Sequence, residues 1–157
     1  MMENDLQALD RWAGGLLAQL EPAGRRAVTR DVARELRRSQ QTRIAAQRNP
    51  DESPFESRKP RTGKGGKLRD KKGRIKRAAM FAKLRTTRYL NVESDALGLA
   101  VGFAGRVSRV ARVHQYGLRD KVAPKGVEYK YPARTLLGFT AQDRELIRDL
   151  LLKHITK

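Results

Sequence analysis

Apolar positions in the first third of the chain recur at helical spacing. Leu6, Leu9, Trp12, Ala13, Leu16, Leu17 and Leu20 follow each other at steps of about three to four residues and cover an arc of roughly 140° on a helical wheel. They predict an amphipathic helix, weakened in its middle by Gly14 and Gly15. Pro22 closes that helix and suits the first turn of the next. Val28, Val32 and Leu36 then form an i, i+4, i+8 stripe, with Arg30, Arg34, Arg37 and Arg38 on the opposite face. The expectation is a helical hairpin over residues 4–48 with one basic outer side.

The periodicity stops after that. Asn49-Pro50 and Ser53-Pro54 are turn signals, Lys59-Pro60 favours extended chain, and Gly63, Gly65, Gly66 and Gly73 follow. Between Lys64 and Lys72 only Leu68 is apolar, too little buried surface to offset the entropy of ordering. Residues 49–75 are therefore read as a long basic flexible loop.

An α+β half over residues 76–157 comes next. Ala78, Ala79, Phe81, Ala82 and Leu84 predict a short helix. Tyr89 to Glu93 alternates as a strand does. After a turn at Ser94-Asp95, Ala96 to Phe103 reads as its hairpin partner, with Leu97, Leu99, Val101 and Phe103 on one face and Gly98, Ala100 and Gly102 on the other. Val107, Val110, Ala111 and His114 predict a helix stopped by Gly117. Val127 to Tyr131 is a third strand, ended by Pro132. Thr140 caps a last helix with Asp143 three residues on, and Leu146, Ile147, Leu150, Leu151 and Ile155 supply its buried face. The fold class is α+β: N-terminal helical hairpin, long basic loop, small mostly antiparallel sheet with short helices, and C-terminal helix. The whole of residues 1–157 is expected to be one domain.

Charge changes the picture more than composition does. The chain has 35 Lys and Arg against 17 Asp and Glu, a formal net charge of +18. Fourteen of the basic residues, with the single acid Asp70, lie between residues 57 and 88. The basic arm is made by Arg58, Lys59, Arg61, Lys64, Lys67, Arg69, Lys71, Lys72, Arg74, Lys76 and Arg77, continued by Lys83, Arg85 and Arg88. It calls for an acidic partner, which is either nucleic acid, anionic lipid or an acidic protein surface. No aromatic residue stands between Phe55 and Phe81, which counts against single-strand recognition by base stacking. No apolar run is long enough for a membrane helix, and the acidic start Met1-Met2-Glu3-Asn4-Asp5 is unlike a signal peptide, so a soluble protein made in the cytoplasm is expected.

Catalytic chemistry finds no home in this sequence. There is no cysteine, hence no thiolate nucleophile or thiolate metal site. His114 and His154 are the only imidazoles and lie far apart, without neighbouring acid clusters. Gly63-Lys64-Gly65-Gly66-Lys67 lacks the spacing and the Ser/Thr of a phosphate loop. The expectation is no enzyme, no cofactor and no metal.

Two segments carry a more specific signal. The first is Arg112-Val113-His114-Gln115-Tyr116-Gly117. The second is Tyr131-Pro132-Ala133-Arg134-Thr135-Leu136-Leu137-Gly138-Phe139, followed by the capped helix. Together they resemble the virion morphogenesis family, which holds the tail-completion proteins of contractile-tailed phages and has counterparts in tail-like bacteriocins. The segment Arg48-Asn49-Pro50-Asp51-Glu52-Ser53-Pro54-Phe55 resembles a turn of the same family, departing from it at Glu52, where glycine is common. The residues that match the family motif are His114, Gln115, Tyr116, Gly117, Pro132, Ala133, Arg134, Leu137 and Gly138.

The resemblance implies a structural protein that completes or caps the head-proximal end of a contractile tail. It implies tail tube, sheath, terminator or collar proteins as partners, a homo-oligomeric ring, action in the host cytoplasm during assembly and a place at the tail end afterwards. The basic arm is the candidate for the partner contact, with DNA contact secondary. The competing reading is a nucleic-acid-binding accessory protein that uses the 57–88 segment, and salt dependence separates the two. The motifs also have a purely architectural reading, as a helix C-terminus at His114 to Gly117 and a strand exit at Pro132 to Arg134.

Overall fold

The computed structural model describes residues 2–58 and 79–156. Of the basic arm it describes Arg58; Lys59, Arg61, Lys64, Lys67, Arg69, Lys71, Lys72, Arg74, Lys76 and Arg77 lie outside the described residues, as does most of the expected 49–75 loop. The elements are α1 (Met2–Leu17), α2 (Pro22–Ala45), β1 (Leu90–Ser94), β2 (Leu99–Phe103), α3 (Val107–Tyr116), β3 (Arg119–Lys121), β4 (Glu128–Lys130) and α4 (Ala141–Ile155). The fold is α+β, with helices at the N-terminus, a helix at the C-terminus and antiparallel strands between.

Helix α2 is the spine. Its stripe Val28, Val32 and Leu36 is buried as the spacing predicts, and Leu151 of α4 joins it in one core cluster. Ala13 and Leu17 of α1, Leu99 and Val101 of β2, and Ile147 and Leu150 of α4 pack around that cluster. Helix α1 lies chiefly against α4, and α2 packs on α4 and on both strands of the first hairpin. A second cluster holds Ile44, Phe55, Met80, Ala111 and Leu136, with Phe81, Leu84 and Phe103 against it. Ile44 and Leu136 are fully buried, and each such side chain contributes roughly 1.5–3 kcal/mol. The outer side of α2 carries Arg34 and Arg38, paired with Asp31 and Glu35 one turn back. Such exposed pairs are worth about 0–1 kcal/mol.

The strands form two separate two-stranded sheets, β1–β2 and β3–β4, both antiparallel. The predicted third strand exists as β4, but it pairs with β3 and not with the first hairpin. Strand β3, Arg-Asp-Lys, is too short and too polar for its alternation to show in the sequence. Strand β2 begins at Leu99 and not at Ala96, because the Asp95 carboxylate accepts from the N–H groups of Leu97 and Gly98 and folds residues 95–98 into the turn. Leu97 thereby leaves the inward row and is 93% exposed.

The predicted helix over Ala78 to Leu84 is replaced, over its described residues, by turns. Phe81 adopts φ 63°, which interrupts a right-handed helix. Its ring lies edge-on between Phe55 and His114, with centroids 5.8 and 4.8 Å away. Side-chain packing here overrides local helix propensity. Helix α3 stops where predicted, at Gly117 with φ 63°. Thr140 and Asp143 make a reciprocal capping box at the start of α4.

Candidate functional site: the strap over residues 131–140

Residues 131–140 run without helix or strand from β4 to α4, so most of their backbone polar groups must find partners outside a ladder. The family-motif residues supply many of them. The N–H of Arg134 donates to the carbonyl of His114 at 2.7 Å, and that of Tyr131 to Leu118 at 3.1 Å. The amide of Gln115 closes on the strap from both sides: its Oε1 accepts from Leu136 and Leu137 at 2.8 and 2.9 Å, and its Nε2 donates to the Leu137 carbonyl at 2.8 Å. Asn49 Oδ1 accepts from the Thr135 N–H at 2.8 Å. Gln40 Oε1 accepts from Gly138 at 3.2 Å.

Two buried guanidinium groups hold the strap from below. Arg134, 4% exposed, donates through Nε to the Glu56 carbonyl at 2.7 Å and through Nη2 to Ser57 at 3.3 Å; its Nη1 lies 3.1 Å from His114 Nδ1. Arg43 donates to the carbonyls of Thr135 and Leu136, to that of Arg48 and to Gln40 Oε1. Burial pulls the pKa of both below the ordinary arginine value, and the Asp143 carboxylate opposes this at Arg43. Asp143 is itself 2% exposed and bonded to Ser39, Gln40 and its own cap.

Two glycines permit the close approach. A Cβ at Gly138 would stand 2.5 Å from the ring of Pro50, and one at Gly117 would stand 3.0 Å from the Ala133 nitrogen. The turn that carries Pro50 keeps a left-handed residue at Glu52, φ 69°, where a glycine would be unstrained.

His114 is half-buried between the rings of Phe81 and Tyr131, 4.8 and 5.1 Å from their centroids. Its pKa is lowered from 6.5 to about 4, first by burial, then by the positive charges of Arg134 and Arg58. A depressed histidine favours the neutral folded form. Above pH 6.5 both folded and unfolded chains are neutral there, and the stability is complete. As pH falls from 6.5 towards about 4, the unfolded chain takes up a proton that the folded chain refuses, so stability declines across that window. Urea unfolding as a function of pH checks this, and His114→Gln should flatten the slope.

The two motif segments are thus brought together, and their polar atoms are largely spent inside the protein. Their exposed members are Arg112, Tyr116 at 68%, Ala133, and Phe139 at 42%. Next to Tyr116, a groove is bounded by Phe103, Ala111, Arg112 and Leu137. Leu6, Pro50, Ala133, Phe139 and Arg144 line a second groove. Sequence reasoning missed Gln40, Arg43 and Gln47, and it placed Asn49 in a turn without its bond to the strap. Gln40 was signalled, since it continues the Val28, Val32, Leu36 stripe by one more i+4 step. Gln47, whose amide brackets both polar backbone groups of Met80, had no such signal. Among the described residues no group of three or more His, Asp or Glu could hold a metal ion, and no helix is long and apolar enough to cross a membrane.

No solved structure matches the chain. Tail completion protein S of Escherichia phage P2 is 37% identical over 155 residues, which cover 98% of this chain and 99% of that protein. The description of the family matched by residues 4–156 reads phage virion morphogenesis. With a match of that extent, the chain belongs to the phage virion morphogenesis family.

Proposed function

We propose that this protein completes the head-proximal end of a contractile tail by binding tail proteins, and that it acts by association and not by turnover. The observation that carries this reading is the likeness to tail completion protein S along nearly the whole of both chains. The geometry agrees with it. The strap, fixed by buried arginines and amides, presents Phe139, and the end of α3 bonded to it presents Tyr116; rigid aromatic anchors lose little entropy on binding.

The partners in this reading are tube, sheath or collar proteins, met in the host cytoplasm during assembly. Several copies act together as a ring around the tail end. The basic arm from Arg58 to Arg77 contacts an acidic surface of one such partner. Removing the gene from the genome that encodes it should leave heads and tails that fail to join, visible by electron microscopy, with joining restored when the chain is supplied in trans. Normal yields of joined particles without it would sink the reading. A chain lacking residues 59–74 should fold yet fail to restore joining; full restoration would remove the arm from the account.

A further inference from the structure

Among the described residues, the β1–β2 hairpin leaves one edge open. Ala104 donates to Tyr89 and Asp95 to Gly98, each from its backbone N–H, which fixes the phase of the ladder. With the register Asn91↔Gly102 and Glu93↔Ala100, these are the hydrogen-bonded pairs. The N–H and C=O groups of Leu99, Val101 and Phe103 therefore point away from β1, and they have no hydrogen-bond partner among the described residues. The β1 edge differs, because the Leu90 N–H is taken by the Thr86 carbonyl.

Natural edge strands are guarded by lysine, proline, a bulge or a cover. Strand β2 has none of the first three. Residues 96–105, Ala-Leu-Gly-Leu-Ala-Val-Gly-Phe-Ala-Gly, hold no charge and no proline in a chain that is 33% charged. The side chains of Leu99 and Val101 face the core, Ala100 is exposed and Gly102 has none, so among the described residues none of these side chains blocks the edge. Leu97 at the start of the same run is 93% exposed.

We propose that the β2 edge pairs with the same edge of a second copy of this chain, antiparallel about a two-fold axis at Val101. The choice of a second copy follows from charge. Two chains of +18 repel each other over most of their surfaces, and this ten-residue window lets them meet without placing like charges opposite one another. The edge is self-complementary, with Leu99 of one copy opposite Phe103 of the other and Ala100 opposite Gly102. The proposal rests on the reading above that several copies act together. A two-fold contact closes at two copies, so a ring takes a further, heterologous contact.

Sedimentation of the full-length protein over a range of concentrations tests it. The wild type should form a dimer that tightens as salt rises, because salt screens the long-range repulsion while leaving a neutral edge untouched. Ala100→Lys and Ala100→Glu, at an exposed position, should keep the wild-type thermal midpoint at concentrations where all three proteins are monomeric. Each alone should dimerise roughly fivefold more weakly or worse. Their equimolar mixture should recover the dimer. A wild-type monomer at every concentration would overturn the edge pairing and the multimer reading together. A multimer that loosens with salt, or that both substitutions leave unchanged, would overturn the edge pairing alone. So would a mixture that fails to recover.

Discussion

Arg134→Met is expected to lower folding stability by about 3–5 kcal/mol. Methionine fills a similar volume, so the loss is not mainly one of packing. The guanidinium serves the carbonyls of Glu56 and Ser57 and stands against His114 Nδ1, at a position 4% exposed to solvent. Without it, two charge-assisted hydrogen bonds and the contact with the imidazole are lost, at roughly 1.5–3 kcal/mol per bond. Arg134→Lys should recover little, since a lysine head cannot reach both carbonyls and the imidazole in a planar fork. Urea unfolding of the three proteins at neutral pH measures the effect. The same substitution removes the second of the causes that depress His114, so its pKa should rise from about 4 towards 6.5 while burial still holds it below. An imidazole titration followed by NMR reads that change. A loss under 1 kcal/mol would mean that water or a neighbouring side chain can replace the guanidinium.

Arg43→Met should cost a comparable amount, about 3–5 kcal/mol, by a different route. Arg43 joins α2 to the strap through the Thr135 and Leu136 carbonyls, at 2.9 and 2.6 Å, and to the turn after α2 through Arg48. It is 8% exposed, and its Nε has no hydrogen-bond partner among the described residues, so part of its desolvation is not repaid there. Its charge also answers the buried carboxylate of Asp143. Arg43→Met therefore leaves an anion in the core without its cation. Adding Asp143→Asn should bring back part of the loss, because the amide can still serve as a helix cap without the charge. A double-mutant cycle measured by denaturant unfolding shows the coupling. Strict additivity would show that the two charges do not sense each other.

How far the sequence revealed these features depended on the range of the interactions. Local signals carried through. The Val28, Val32, Leu36 stripe, the stop at Gly117 and the Thr140–Asp143 cap each rest on residues within a few positions of one another, and each is found in the fold. Signals that depend on distant partners did not. Ala79 to Leu84 has helical composition, but the ring of Phe81 is needed between Phe55 and His114, and the backbone yields. Strand β3 has no alternation of its own and exists because β4 lies beside it.

The candidate site was legible as a set of residues and not as a structure. His114 to Gly117 and Pro132 to Gly138 stand out by type and order, yet nothing in that order says that Gln115 and Arg134 spend their polar atoms inward. Arg43 carries no signal of its own in the sequence, since only the strap's carbonyls, more than ninety positions later, explain its burial. The charge of the arm was plain from the sequence. Of its named residues, the described structure reaches only Arg58.

The most direct test of the central claim is to mix the purified protein with tails that lack it and to locate it by gold labelling in the electron microscope, at low and at high salt. The account predicts label at one end of each tail, the end that receives the head, with occupancy that survives high salt because a packed protein interface holds it. Label scattered along the tail or absent from it, with binding only to DNA and loss of that binding as salt rises, would contradict the account.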